Sequence, residues 1–487
     1  MLTKTDFLRF RQCPRQLWLH KNRKDLLPDQ VDAGKQLVFD NAFEVEEQAY
    51  RLFPDGASAY DGQFGQALKK TESLLRRRLS AVFQPTFSRG QLFCRCDILA
   101  FDPKRQVWDI YEVKSSTDVK EEHLYDLAFQ DICLREAGLP VGRLHIIHIN
   151  NQYVRQGEID PRQLLKTVDR TDEARTLTKE VERGIKSGLE VLKLVGEPEV
   201  RILKQCSDPY DCPFIPYCWR RIPDHSVYDM NLAEEKLREM LDEGIMLIQD
   251  MPDGLATRVI KRRYAEALKS GKPLIEAEAI RTRLADMRYP LHFLDYETYS
   301  APIPPFDGYR PYQQIPFQYS LDVKRLPDAR LEHYEFLAAE PGDPVPALSA
   351  ALAQVIGPKG SIVSWNAAFE AGRNEEMAVR QPQLRGFLAS VNSRMFDPMM
   401  IFRDGEYADA GFRGSASLKA VLPVLVPELS YGDLAIQEGG TAAASWPKLV
   451  GGTLSPEEKE QLYRDMLAYC GRDTLAMVRI VEILEKI

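Results

Sequence analysis

The chain has 487 residues, too many for one hydrophobic core, so two or three domains are expected. Hydrophobic residues at 44% and charged residues at 28% exclude a disordered or fibrous chain. A formal net charge of −8 counts against a protein coated in nucleic acid but permits local basic grooves, and acidic sites pull the total down.

In chain order, the N-terminal MLTKTDFLRFRQCPRQLWLH lacks the uninterrupted apolar segment of a signal peptide. No later apolar run approaches the roughly 18 residues of a membrane span. No membrane contact and a cytoplasmic location are therefore expected, where clustered cysteines bind metal more often than they pair as disulfides. Residues 34–53 have helical periodicity. QLFCRCDILAFD then alternates as a strand, DPKRQ turns, and VWDIYEVKSS reads as a second strand, completing a hairpin. HLYDLAFQDICLREAG predicts an amphipathic helix ending at Gly138, and RLHIIHIN a further apolar strand. Next comes KQCSDPYDCPFIPYCWRR, with Cys206, Cys212 and Cys218 evenly spaced.

Residues 1–225 thus read as one α/β domain, and residues 226–288, charged and helical, as a connector. Residues 289–487 read as a second α/β domain: PLHFLDYETYS and SLDVKR as strands, SIVSWNAAFEAG as a strand entering a helix, and a long amphipathic helical region at the end. Between them, Pro302 to Tyr319 mixes prolines, aromatics and glutamines, a composition that suits either base stacking or packing.

Asp97 falls on the first hairpin strand, with Glu112 and Lys114 two apart on the second and hence on one face. Two carboxylates and a lysine on adjacent strands suit metal-dependent phosphodiester hydrolysis. The acids hold a divalent ion that polarises the phosphate and acidifies a water, while the lysine stabilises developing charge or positions that water. E-x-K on a strand is also a common cross-strand ion pair, so its context matters. Together with the helix bearing Gln130, this segment resembles the PD-(D/E)XK nuclease superfamily. The likeness is nearest to its RecB-like branch and, within it, to CRISPR-associated exonucleases that carry an iron–sulfur cluster. That resemblance implies a restriction-endonuclease-like fold, metal binding by Asp97 and Glu112, catalysis by Lys114, and nucleic-acid contact by Gln130 of the family's Q-x-x-x-Y motif. Leu134 stands where the motif has tyrosine. Relatives often carry a metal-binding histidine on the early helix; here Glu44, Glu46 or Glu47 would have to substitute.

Cys94, Cys96, Cys133 and Cys470 lie in strand-like or helical stretches and read as small buried hydrophobes. That leaves Cys13 as the partner of the trio, followed by a proline as Cys212 is. The same exonucleases have one cysteine before the nuclease core and three after it. By that resemblance, Cys13, Cys206, Cys212 and Cys218 hold a [4Fe–4S] cluster that clasps the ends of the domain. Zinc is the alternative, although zinc cysteines usually come in closer C-x(2–4)-C pairs.

In the C-terminal domain Asp295 and Glu297 share one face of a strand, Glu370 follows a strand-to-helix transition, and Tyr469 and Asp473 are i and i+4 on the last helix. Four carboxylates from such separated segments make sense if they converge on two metal ions. D-x-E, N-x-x-F-E and Y-x-x-x-D in this order resemble the DEDD exonucleases of RNase H-like fold. The resemblance implies metal binding by Asp295, Glu297, Glu370 and Asp473, with Tyr469 orienting the attacking water. Glu370 replaces the usual aspartate. Asp397 and SLKAVLP fall where proofreading-type relatives have supporting structure. The domain also looks like a bacterial family of uncharacterised function, through DYET, PPFDGYRPYQQIPFQYS and YCGRDT.

The expected function is a two-site nuclease using Mg²⁺ or Mn²⁺ on single-stranded or end-bearing DNA, in DNA repair or defence against foreign DNA. A second reading keeps only the C-terminal site active, on RNA or DNA, with the N-terminal domain a binding module. A third is a non-catalytic nucleic-acid-binding scaffold, against which the complete carboxylate sets weigh. Protein partners are not legible in the sequence.

Overall fold

The apolar segment VWDIYEVK lies inside a sheet in the computed structural model, which describes residues 1–28 and 33–487. The chain is mixed α/β and divides into two units. The first comprises the N-terminal segment, Lys35–Arg221 and Ala301–Gln313; the second comprises Ile222–Ser300 and Gln314–Ile487.

The first unit contains strands β1 (Leu2–Thr3), β2 (Ala57–Ser58), β3 (Ala81–Phe83), β4 (Thr86–Arg89), β5 (Leu92–Arg95), β6 (Ile98–Asp102), β7 (Val107–Lys114), β8 (Val141–Ile149) and β9 (Leu165–Asp169). Its main sheet has the order β2-β3-β6-β7-β8-β9, and β1-β5-β4 form a small second sheet. β6 and β7 are the expected antiparallel hairpin, with Ile98 opposite Tyr111. β8 runs parallel to β7, and the helix Glu121–Glu136 makes the crossover that parallel strands require.

Two expectations are corrected here. QLFCRCDILAFD is not one strand: it breaks at Cys96–Asp97, so β5 pairs with β1 and β4 while β6 pairs with β3 and β7. Asp97 therefore lies at the bend before β6, where its Oδ2 accepts a hydrogen bond from the Val113 amide at 2.7 Å. The helix Glu121–Glu136 is not amphipathic; it is buried on all sides from Tyr125 to Leu134. Burial includes Asp126, Gln130 and Asp131, so its polar residues face the interior and require partners there.

The second unit adds β10 (Leu274–Ile275), β11 (Leu291–Tyr299), β12 (Ile315–Lys324), β13 (Glu332–Leu337), β14 (Ile362–Val363), β15 (Met395–Phe396) and β16 (Tyr407–Ala408). Five of them form a sheet in the order β13-β12-β11-β14-β15. β11, β12 and β13 are antiparallel; β14 and β15 continue parallel to β11. The register between β11 and β12 slips between Glu297 and Thr298, and such a bulge re-aims the side chains beside it. The helix Pro456–Leu484 begins at a Ser455–Glu458 capping box. Its Met477, Val478 and Val481 pack with Leu291, Phe293 and Val363. Residues 226–288 include the helices Glu234–Asp242, Val259–Ser270 and Ala277–Leu284, and they group with the second unit. There Tyr264 is buried with Met230, Met240, Ile248 and Met251, and β10 pairs with β16.

The aromatic segment after β11 is packed in part, with Arg310 and Tyr312 exposed. Tyr309 is buried, the Arg155 Nη1 donates to the Pro304 and Pro305 carbonyls at 2.9 and 2.7 Å, and β12 is buried throughout. No helix among the described residues is long and apolar enough to cross a membrane.

Candidate active sites

In the first unit the hairpin and the crossover helix bring Asp97, Glu112, Lys114 and Gln130 together, with two residues that sequence reasoning missed. Lys114 Nζ lies 2.7 Å from both Glu112 Oε1 and Asp126 Oδ2. Lys4 Nζ lies 2.7 Å from the same Glu112 oxygen and 3.3 Å from Asp126 Oδ1. Lys4 is placed by its neighbours: β1 pairs with β5, and Thr3 caps the helix Lys4–Gln12 in a reciprocal box with Asp6. Asp126 had a legible signal, because it precedes Gln130 by four residues on one helix face. Lys4 had none, because no local spacing connects it to a strand about 110 residues away.

Gln130 corrects an expectation. It is fully buried, and its Nε2 donates to Glu112 Oε2 at 2.7 Å and to Asp126 Oδ1 at 2.9 Å. A side chain so enclosed orients carboxylates and does not touch nucleic acid. Of the three early glutamates, Glu44 and Glu47 are exposed. Glu46 instead accepts hydrogen bonds from Tyr50 and Gln84 and adds its repulsion at Asp97. It is the one positioned to join the site. Burial, then repulsion from Glu112, pushes Asp97 well above the usual carboxylate range. Burial would raise Glu112 too, but Lys114 and Lys4 overcome it and hold Glu112 well below that range.

Cys13, Cys206, Cys212 and Cys218 are half-buried in the same unit. Gln12 Nε2 donates to the Gln205 carbonyl at 2.9 Å, and Trp18 Nε1 to the Leu194 carbonyl at 3.0 Å, tying the N-terminal helices to the segment leading into the trio. Burial raises Cys212 to about 11, and the charges of Cys13, Cys206 and Cys218 add to that rise. A tetrahedral zinc with Zn–S bonds of about 2.3 Å would draw its sulfurs to about 3.8 Å of one another. Among the described residues only Asp295, Glu297 and Cys470 form a donor set with all atoms within 4.8 Å.

In the second unit β11 presents Asp295 and Glu297 on one face, and Cys470 and Asp473 arrive from the helix Pro456–Leu484. Cys470 was expected to be inert core. It is fully buried, but its Sγ lies 3.6 Å from Asp295 Oδ2 and belongs to the compact donor set with Asp295 and Glu297. Glu370, in the first turn of the helix Ala368–Arg380, is 3% exposed; its charge bears on Asp295 and Glu297, and its Oε2 has no hydrogen-bond partner. Asp397 supports the turn before that helix, accepting from the Asn366, Ala367 and Met399 amides at 3.1, 3.2 and 3.0 Å. Asn366 there has a φ of 65°, a left-handed conformation that asparagine tolerates better than most side chains.

Two further groups escaped sequence reasoning. The Tyr431 hydroxyl donates to Asp473 Oδ1. Lys419 Nζ lies 5.3 and 5.4 Å from the ring centres of Tyr431 and Tyr469, and its charge opposes the repulsion at Glu297 and Asp473. The tyrosine of YCGRD is 4% exposed; a Cβ built on Gly439 would lie 3.7 Å from its hydroxyl and 3.8 Å from Glu297 Oε2, so both face the Gly439 backbone.

Among the described residues Asp295, Glu297, Glu370 and Asp473 have no ion-pair partner within 4.0 Å, so burial and mutual repulsion act on them with little relief. Asp295 and Glu297 are pushed well above the carboxylate range by burial first and by Asp473 next. Burial pushes Glu370 up to about 8, aided by Asp397, and Asp473 up to about 6 against the Tyr431 hydrogen bond and Lys419. A carboxyl whose folded pKa is raised takes up a proton on folding. The stability this gives is complete below its ordinary value and is lost as pH rises through the folded one. Cation-free protein is therefore expected to protect β11 less from hydrogen exchange at about pH 9 than at about pH 5, and a divalent ion to restore most protection at the higher pH.

Residues 292–417 match the model of a domain of unknown function, DUF2779. The match takes in Asp295, Glu297, Glu370 and Asp397 but ends before Lys419, Tyr431, Tyr469, Cys470 and Asp473. No curated protein matches the chain.

Proposed function

We propose that the protein is a metal-dependent nuclease with two active sites, one in each unit, hydrolysing DNA that is single-stranded or offers ends. One observation carries the reading: half-buried Asp295 and buried Glu297, Glu370 and Asp473 stand together in the second unit without an ion-pair partner among the described residues, and charge so enclosed calls for metal ions. The sheet around them supports it. Its order of third, second, first, fourth and fifth strand, antiparallel then parallel, is compatible with an RNase H-like reading. In the first unit, three antiparallel strands followed by a crossover helix and a parallel strand support the PD-(D/E)XK reading.

Divalent ions, Mg²⁺ or Mn²⁺, would be held by Asp97, Glu112 and Glu46 in one unit and by Asp295, Glu297, Glu370 and Asp473 in the other, supplying Lewis acidity toward phosphate and water. The chain's own groups do the rest. Lys114 stands beside Glu112 to stabilise charge growing on the phosphate. Tyr431 fixes Asp473 by its hydrogen bond, and the Tyr469 hydroxyl, which faces the Gly439 backbone as Glu297 does, would orient a water. Cys13, Cys206, Cys212 and Cys218 would hold a [4Fe–4S] cluster as a clasp, a reading that goes with a reducing compartment such as the cytoplasm. Protein purified without oxygen is expected to be brown with iron and sulfide in stoichiometric amounts, and Cys206→Ala to be colourless; stoichiometric zinc instead would remove the cluster.

The test of function uses end-labelled single- and double-stranded DNA and RNA with Mn²⁺. Lys114→Ala is expected to abolish one activity and Asp295→Asn the other, and the double variant to cleave nothing. A double variant as active as wild type would overturn the nuclease reading.

A further inference from the structure

We propose that the metal site of the second unit is a mixed carboxylate–thiolate site, in which Cys470 joins Asp295 and Glu297 in binding a borderline-soft divalent cation such as Zn²⁺ or Co²⁺ in preference to Mg²⁺. The inference rests on the metal-site reading above and names which ion that site selects.

Three observations carry it. The donor atoms of Asp295, Glu297 and Cys470 all lie within 4.8 Å of one another, close enough to share one ion. Sγ stands 3.6 Å from Asp295 Oδ2, so the thiol is at the carboxylates and not behind them. Independently, Glu370 keeps a buried carboxylate oxygen without a hydrogen-bond partner while its charge acts on the same two acids. In the first unit Lys4 and Lys114 stand between the carboxylates, whereas here Lys419 acts on Glu297 and Asp473 from a distance and no ammonium lies within 4.0 Å of the acids among the described residues.

Ligand chemistry sets the preference. Mg²⁺ takes oxygen ligands in near-ideal octahedral geometry, and a sulfur in its shell is a poor substitute. Thiolate suits Zn²⁺ and other softer ions, and mixed sulfur–oxygen sites favour them. Binding replaces the S–H bond with an S–metal bond, and the proton leaves to solvent.

Titrating the full-length protein with Co²⁺, Mn²⁺ and Mg²⁺ tests this in wild type, Cys470→Ser, Cys470→Ala and Asp295→Asn. The four cysteines of the first unit are present in all four proteins, so difference spectra isolate Cys470. Wild type is expected to show a sulfur-to-cobalt charge-transfer band that both Cys470 variants lack. Co²⁺ affinity should fall on the order of 10–100-fold in those variants, with Mg²⁺ affinity changed little. Identical Co²⁺ spectra and affinities in wild type and a folded Cys470 variant would overturn the thiolate proposal. If binding also ignores Asp295→Asn, the metal-site reading itself fails; if it responds to Asp295→Asn alone, only the thiolate proposal does.

Discussion

Asp295→Asn is expected to lower the Mn²⁺-dependent activity of the second unit by about 10³-fold, on the order of 4 kcal/mol of transition-state stabilisation. Asparagine keeps the shape but not the charge that holds a cation. The substitution removes the carboxyl that burial, Asp473, Glu297 and Glu370 push up, so the folded unit should lose no stability and gain some when cation-free. Loss of activity with unchanged or higher stability is the signature that separates a ligand from a structural residue. It would be read as kcat in end-labelled cleavage beside hydrogen exchange of β11. Full activity in a well-folded Asp295→Asn protein would exclude this carboxylate from the chemistry.

Glu112→Ala in the first unit should behave in the opposite way, destabilising as well as inactivating. Glu112 is 2% exposed and stands between two ammonium groups, each 2.7 Å from its Oε1. Without it, Lys4 and Lys114 share Asp126 alone, and the Gln130 amide loses one acceptor. Leaving a buried charge uncompensated costs about 3–5 kcal/mol. Hydrogen exchange across Glu121–Glu136 should accelerate to match. Adding Lys4→Met to Glu112→Ala removes one stranded charge and should recover part of the loss, a coupling that a double-mutant cycle measures. Equal stability of wild type and Glu112→Ala would mean that the two lysines are not held by this carboxylate.

The contrast between these outcomes comes from the two charge environments. One site carries its own cations, Lys4 and Lys114, so a metal ion entering beside Glu112 competes with an ammonium already there. The other leaves Glu297, Glu370 and Asp473 buried without an ion pair among the described residues, so a bound metal would relieve the repulsion among its acids.

Much of both sites was legible because the periods of regular structure are short-range. E-x-K and D-x-E put pairs of side chains on one strand face, and Tyr469 and Asp473 on one helix face, wherever those elements pack. The hairpin around DPKRQ, the strand of LHFLDYET and the long capped final helix follow equally from local pattern. What spacing could not decide was which residues meet across elements. Lys4 reaches Glu112 only because β1 pairs with β5, and Tyr431 reaches Asp473 across the fold of the second unit. Cys470 looked like core filler because a buried thiol and a ligand thiol have the same local sequence; only the packing of its helix on β11 brings Sγ to Asp295. Gln130 was assigned to nucleic-acid contact by its motif, and a motif carries no record of its burial. Sequence by itself determined the residue pairs that a strand or helix period aligns. Tertiary structure decided which charges those pairs must face, because electrostatic partners are chosen by distance in space and not along the chain.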